Sequence, residues 1–263
     1  MKRLAVLGHP VAHSRSPAMH NAALAELGLG GQWAYEAIDV PPDELEARVR
    51  TMVGEGFVGA NATVPHKGAA LSLADTLSET AREIGAANTL SFEAGEIRAD
   101  NTDAQGLLDA LPSSPAGESA LVLGAGGAAR AAVWALLRDG AKVDVWNRTA
   151  LRAGHLCQEL GGTPVAAPEQ DAYELIVNTS TAGMGGGDPF ADLPLDPAGF
   201  APGQTVADLV YGERPSPLLA AAEAAGATTV DGIEVLVRQG ALSLKIWTGR
   251  EAPLDAMRAA ARL

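Results

Sequence analysis

Short unbroken apolar blocks alternate along this chain with longer stretches whose apolar residues recur at helical spacing. RLAVLG (3–8), ended by Gly8, predicts a buried strand. Ser16 and Pro17 then open a helix, Ser16 as N-cap and Pro17 at the first helical position, with Met19, Ala22, Ala23 and Leu27 on one face. WAYEAIDV (33–40) predicts a second strand. PPDELEARVRTMVGEG (41–56) predicts a helix with proline and acids in its first turn and glycine at its end. GFVGANATV (56–64) and AANTLSF (86–92) read as further strands, and DNTDAQGLLDAL (100–111) as a helix start. The alternation favours parallel sheet built from βαβ units.

LPSSPAGES (111–119) lacks periodicity and reads as a linker. Beyond it, ALVLGAGGAARAAVWALLRDG (120–140) places a strand, a glycine turn and a helix in immediate succession, and AKVDVWNRT (141–149) is the next strand. ELIVNTS, QTVADLVY and ATTVDG continue the strands, so a second α/β unit begins near residues 103–118. IEVLVRQGALSLKIWTG and PLDAMRAAARL (233–249 and 253–263) are helical.

Composition narrows the classes. A chain of 263 residues suits one large domain or two modest ones. Its net charge of −13 repels phosphate backbones and anionic membranes, which argues against nucleic acid and membrane partners. Cys157 is the only cysteine, so no intrachain disulfide forms, and it reads as a small buried hydrophobe. The opening MKRLAVLGHP reads as a first strand rather than a signal peptide, and no apolar run reaches membrane-spanning length. The expected compartment is the cytoplasm. His9, His13 and His20 do not complete a ligand set, so no metal is expected.

The glycine turn points to a cofactor. Gly124, Ala125, Gly126, Gly127, Ala128 and Ala129 fit G-x-G-x-x-A between a strand and a helix. Gly124 permits the tight turn, Gly126 lets backbone approach a pyrophosphate, and the helix N-terminus faces the anion. Where an NAD enzyme carries an acid for the ribose 2′-hydroxyl, the next strand ends in Asn147, Arg148 and Thr149, with Arg152 a turn on. Asp144 lies too early in the strand for that role. Two guanidiniums and a helix capped by Thr149 favour a 2′-phosphate, hence NADP over NAD.

A nicotinamide cofactor needs a partner that moves a proton. Lysine occurs only at positions 2, 67, 142 and 245, and Lys67 closes NATVPHK at the end of a strand. There it can serve as general acid/base, with Asp103 of DNTD as a candidate orienting carboxylate. His66 reads as loop support, the tryptophans as packing, and GMGGGDP (183–189) as a loop beside the cofactor.

These residues together resemble the shikimate dehydrogenase family over nearly the whole chain. GHPVAHSRSPAMHN (8–21), NATVPHK (61–67), AANTL (86–90), DNTD (100–103), GAGGAAR (124–130), NRT (147–149), DLVY (208–211) and DGIEVLVRQGALS (231–243) stand in family order. The resemblance implies NADP-dependent interconversion of shikimate and 3-dehydroshikimate, toward chorismate and the aromatic amino acids. It implies two α/β domains with a cleft between them, the second a Rossmann-type doubly wound parallel sheet. Residues 1–102, completed by 237–263, would bind substrate, and 103–236 would bind NADP. Lys67 and Asp103 would be catalytic. Ser14 and Ser16 would hold the substrate carboxylate, and Asn61, Thr63, Asn88, Tyr211 and Gln239, with Asp103, the ring and its hydroxyls. Leu209 and Gly232 would sit against the nicotinamide, and Glu79 near the cofactor. The assembly would be a monomer or homodimer. Two departures stand out: Ala104 where the family usually has glycine, and GERPSP (212–217) in place of its usual loop. The rivals are a quinate/shikimate dehydrogenase using NAD, against which Arg148 argues, and a silent sensing relative, whose mark would be loss of Lys67 or Asp103.

Overall fold

The computed structural model describes residues 1–212 and 216–263. The chain divides into two units, residues 1–106 with 236–263, and residues 107–235.

The first unit runs β1 (Lys2–Gly8), α1 (Ser16–Glu26), β2 (Trp33–Asp39), α2 (Leu45–Gly54), β3 (Phe57–Ala62), α3 (Lys67–Ser72), β4 (Thr76–Leu77), α4 (Glu79–Ile84), β5 (Thr89–Glu93), β6 (Glu96–Asp100) and the first turn of α5 (Asp103–Ala110). Its sheet has the order β2-β1-β3-β5-β6-β4. The β1 pairings with β2 and β3 are parallel, but β5 pairs antiparallel with both β3 and β6. The expectation of a parallel sheet holds for β2-β1-β3 and for β4 beside β6 but fails at β5: β5 and β6 are joined by Ala94-Gly95, both at positive φ, a tight turn that returns the chain beside itself. Leu7, Leu45, Met52, Leu90 and Ile97 form the core of this sheet.

Several local expectations are corrected. Arg15, not Ser16, precedes α1 at the cap position; Ser16 is its first residue and no side chain caps the helix. The helix expected from residue 41 splits into a 3-10 turn, Pro42–Glu44, and α2. Strand β3 ends at Ala62, so Lys67 begins a helix rather than closing a strand. AANTLSF becomes a strand only from Thr89.

The second unit holds β7 (Ser119–Leu123), α6 (Gly127–Arg138), β8 (Lys142–Trp146), α7 (Ala150–Leu160), β9 (Thr163–Pro164), β10 (Leu175–Asn178), β11 (Thr205–Asp208), α8 (Pro217–Ala224) and β12 (Thr228–Asp231). The order β12-β11-β10-β7-β8-β9, parallel throughout, is the doubly wound Rossmann arrangement. Its strands are apolar on both faces for a physical reason. Ala120 and Val122 of β7 enter one core, with Val133, Leu136 and Val177, while Leu121 and Leu123 enter the other, with Ile176, Val206 and Leu218. Cys157 is buried in the first of these cores, and burial pushes its thiol up. α9 (Gly232–Thr248) starts in this unit and ends in the first, which α10 (Leu254–Ala261) completes. The GERPSP departure falls partly outside the described residues, at 213–215.

No helix among the described residues is long and apolar enough to cross a membrane.

Candidate active site and cofactor site

In the first unit, Lys67 Nζ donates to Asp103 Oδ2 at 2.8 Å. Asp103 opens α5, and Asn101 positions it: Asn101 Oδ1 accepts the backbone N–H groups of Asp103 and Ala104, while its Nδ2 donates to the Ala86 carbonyl. The other carboxylate oxygen, Oδ1, accepts from Asn88 Nδ2 at 2.9 Å. Lys67 and Asn88 thus bracket the carboxylate. The two side chains of the ion pair are 16% and 14% exposed, shielded from bulk water yet open to a small reactant.

The amide hydrogen-bond directions behind this pair follow from their backbone partners. Asn88 Oδ1 accepts the Thr102 backbone N–H at 2.8 Å, so its Nδ2 must face Asp103, Thr102 Oγ1 and Gln239. Gln239 Nε2 donates to the Leu236 carbonyl, which turns its Oε1 toward Asn88. Asn61 Nδ2 donates to the Asn88 carbonyl, and its Oδ1 accepts from the Tyr35 hydroxyl at 2.7 Å. Three hydroxyls close the network: Ser243 Oγ lies 2.8 Å from Thr89 Oγ1 and 3.1 Å from Thr102 Oγ1, and accepts from Asn61 Nδ2. Asn61, Asn88, Thr89, Thr102, Gln239 and Ser243 are all buried. Tyr35, Thr89, Asn101, Thr102 and Ser243 did not stand out in the sequence. Thr89 lies within AANTL, and Asn101 and Thr102 within DNTD, but such polar side chains carry no signal until their partners are placed.

Other expected residues fall nearby or elsewhere. Thr63 receives its place from backbone bonds to Leu7 and His66, and a side chain at Gly8 would come within 2.5 Å of Thr63 Cγ2. His66 is buried with Nε2 on the Val40 carbonyl at 2.8 Å; burial lowers its imidazole, opposed by that bond. Ser14 Oγ accepts the Ser16 N–H at 3.3 Å, so these two form a separate pair leading into α1. Glu79 opens α4 and belongs to the first unit, whereas the other expected cofactor residues belong to the second; Tyr211 belongs to the second unit, whereas the other expected substrate residues belong to the first.

In the second unit, Gly124 follows β7 at φ +119, where a Cβ would meet Thr179 Oγ1 at 2.6 Å. Space around Gly126 is open, with nothing within 4 Å of an added Cβ. Gly126 is the N-cap of α6 and no side chain caps that helix, which leaves an uncapped positive end beside a bare backbone surface. Ala125, Gly127 and Ala128 complete the turn. Asn147 Nδ2 donates to the Thr149 carbonyl at 3.0 Å. Thr149 is N-cap of α7 by position, but its hydroxyl makes no cap bond, contrary to expectation, so that end is uncapped too. Arg148 and Arg152 are exposed beside it. Asp144 is already engaged, accepting from the Tyr173 hydroxyl at 2.8 Å. Leu209 and Gly232 meet: a Cβ on Gly232 would lie 2.7 Å from the Leu209 carbonyl. Beside them Asp208 is buried, accepting from Asn178 Nδ2, the Val210 N–H and the Ser216 hydroxyl; burial raises its carboxyl and these bonds oppose the rise.

The chain is similar to known proteins over nearly its whole length. The family model for the shikimate dehydrogenase substrate binding domain matches residues 6–90, that for shikimate/quinate 5-dehydrogenase residues 108–181, and that for the shikimate 5′-dehydrogenase C-terminal domain residues 232–262. The shikimate dehydrogenase (NADP(+)) of Anaeromyxobacter sp. (strain Fw109-5) is 46% identical over 97% of this chain and 94% of its own. That of Moorella thermoacetica is 41% identical over 97% and 90%. The crystal structure of the shikimate 5-dehydrogenase of Thermus thermophilus, in complex with NADP(H) and shikimate, is 42% identical with a TM-score of 0.90, covering 100% of this chain and 99% of that one.

Proposed function

The chain belongs to the shikimate dehydrogenase family, and from that premise we propose that its first unit binds the substrate and moves the proton while its second binds NADP. The reaction is the NADP-dependent interconversion of shikimate and 3-dehydroshikimate, in the biosynthesis of chorismate and the aromatic amino acids. The observation that carries the assignment of roles is the Lys67–Asp103 pair at 2.8 Å, shielded from bulk water and held by a directed amide–hydroxyl network.

The second unit's residues fit the cofactor. Gly124 makes the tight turn and Gly126 leaves backbone bare at the uncapped end of α6, which suits a pyrophosphate, and Arg148, Arg152 and the uncapped end of α7 suit a 2′-phosphate. Asn147 and Thr149 shape that corner, and Leu209 and Gly232 would meet the nicotinamide end. Glu79 is kept as a cofactor contact by resemblance alone. Bound NADP supplies the acceptor for the hydride that leaves the substrate's carbinol carbon.

In the oxidation, Lys67 Nζ in its neutral form takes the hydroxyl proton; in the reverse direction it returns that proton to the carbonyl oxygen. Asp103 accepts from Lys67 on one oxygen and from Asn88 on the other, which orients the amine. An arginine could not cycle in this way, because it does not usefully deprotonate. Ser14 and Ser16 hold the carboxylate beside the uncapped end of α1. Thr63, Asn88, Tyr211 and Gln239 are kept by resemblance as partners for the ring hydroxyls, each of which needs one once desolvated. Asn61 is likewise kept as a ring contact by resemblance, and its amide, bonded to Tyr35, Asn88, Thr89 and Ser243, would also position Asn88. The enzyme would act in the cytoplasm as a monomer or homodimer, which sedimentation velocity separates.

The test follows nicotinamide absorbance with shikimate or quinate, each with NADP⁺ or NAD⁺. Reduction of NADP⁺ by shikimate is the expected result. Equal turnover with NAD⁺ or quinate would move the protein to a broader substrate class, and binding without turnover would remove the acid/base role from Lys67.

A further inference from the structure

We propose that Asp192 sets how strongly the cofactor site discriminates NADP from NAD, by competing with the 2′-phosphate for Arg148; this rests on the NADP reading above. Arg148 Nη1 lies 3.3 Å from Asp192 Oδ1. Arg152, the other guanidinium at this corner, forms no ion pair among the described residues. The two arginines are therefore unequal: one faces solvent alone, the other faces a carboxylate.

Asp192 is anchored. It ends the 3-10 turn Pro189–Ala191, where its N–H donates to the Pro189 carbonyl at 3.1 Å, and Asp188 caps the same turn by accepting from the Phe190 N–H at 3.0 Å. Pro189 is buried, and Leu193, the residue after Asp192, enters the core formed with Ile176 and Val206. The backbone that carries the carboxylate is thereby held beside Arg148 by the protein's own packing, independently of any ligand.

A 2′-phosphate is close to a dianion at neutral pH and binds a guanidinium through paired hydrogen bonds. To reach Arg148 it must displace Asp192 or share the guanidinium with it, and two anions sharing one cation repel. A ribose 2′-hydroxyl carries no charge and leaves the pair undisturbed. Asp192 therefore weakens ligands that carry the phosphate and spares those that lack it. Both side chains are more than half exposed, at 81% and 54%, so solvent screens the effect to about two- to fivefold.

The experiment is isothermal titration of the full chain and its Asp192→Asn variant with 2′,5′-ADP and with 5′-AMP, at low and high salt. The variant is expected to bind 2′,5′-ADP about two- to fivefold more tightly than the parent, with 5′-AMP unchanged and the gain shrinking at high salt. An unchanged affinity for 2′,5′-ADP, or an equal gain for 5′-AMP, overturns the proposal. If neither protein prefers 2′,5′-ADP to 5′-AMP, Arg148 is not a phosphate site, and the NADP reading of this corner falls along with the proposal. Asp192→Ser repeats the test with a smaller neutral side chain.

Discussion

The two units present opposite kinds of surface to the ligands proposed for them. The first gathers neutral amides and hydroxyls that are buried and directed, from segments far apart in the chain: Asn61 bonds Ser243 across 182 residues, and Asn88 bonds Gln239 across 151. The second offers bare backbone and exposed guanidiniums from one strand–turn–helix–strand segment, with the Arg148 side chain 81% exposed. The difference suits the proposed ligands. A polyol presents hydroxyls that water binds just as well, so discrimination needs desolvated partners fixed in advance. A phosphate presents charge, which helix ends and guanidiniums bind even at a wet surface.

The largest expected effect lies in the first site. Lys67→Met should lower kcat by about 10²–10⁴-fold, followed by nicotinamide absorbance, while fluorescence titration of NADPH shows the second unit's binding unchanged. Near-normal turnover would remove the proton-transfer role from the first unit altogether.

The next concerns what burying polar groups costs. His20 is fully buried, stacks on Tyr35 with ring centroids 4.2 Å apart, and neither ring nitrogen has a partner among the described residues. Burial lowers its pKa from 6.5 to about 3. Below pH 6.5 the unfolded chain takes up a proton that the folded chain refuses until about pH 3, so this contribution to stability falls with pH across that window. At about 1.4 kcal/mol per pH unit, the loss reaches about 3 kcal/mol by pH 4. His20→Phe keeps the stack and removes the titration. Urea unfolding at several pH values should show a shallower acid slope for the variant, and identical slopes would assign the acid limb to other groups.

Gly124→Ala probes the second site's dependence on backbone. A side chain there meets both a positive φ and Thr179 Oγ1, at a cost of about 1–3 kcal/mol. NADPH titration should weaken with it, while shikimate binding stays intact. The smallest effect is expected from Ser243→Ala, about 1 kcal/mol of stability, with a several-fold rise in KM for shikimate and a lesser change in kcat. The KM for NADP⁺ should not move. A parallel change would show that the two sites are energetically coupled.

Legibility in the sequence tracks this same contrast. The Gly124–Ala129 turn and the Arg148 corner were readable because strand, turn and helix are neighbours in the chain and each glycine answers a local backbone demand. The Lys67 and Asp103 motifs stood out and the family resemblance paired them, but the residues alone left Asp103 only one candidate, since 36 positions separate the two. The antiparallel turn at β5 and β6 was missed because AANTLSF reads equally well as a strand in either direction. Ser243 and Thr102 were invisible as parts of a site, because a serine in a helix or a threonine beside one is ordinary until side-chain amides from distant segments converge on it.

By itself the sequence determined that this is an α/β chain with a dinucleotide turn, arginines in place of a ribose-binding acid, and one lysine set in a motif beside polar groups. Those are properties of local periodicity, backbone conformation and charge, which act between near neighbours. Only the tertiary structure decided that Asn88 turns its amide toward Asp103, that Asn61 serves the network, and that Asp192 stands against Arg148. These depend on contacts between distant segments, whose geometry arises only when the cores on each sheet are packed.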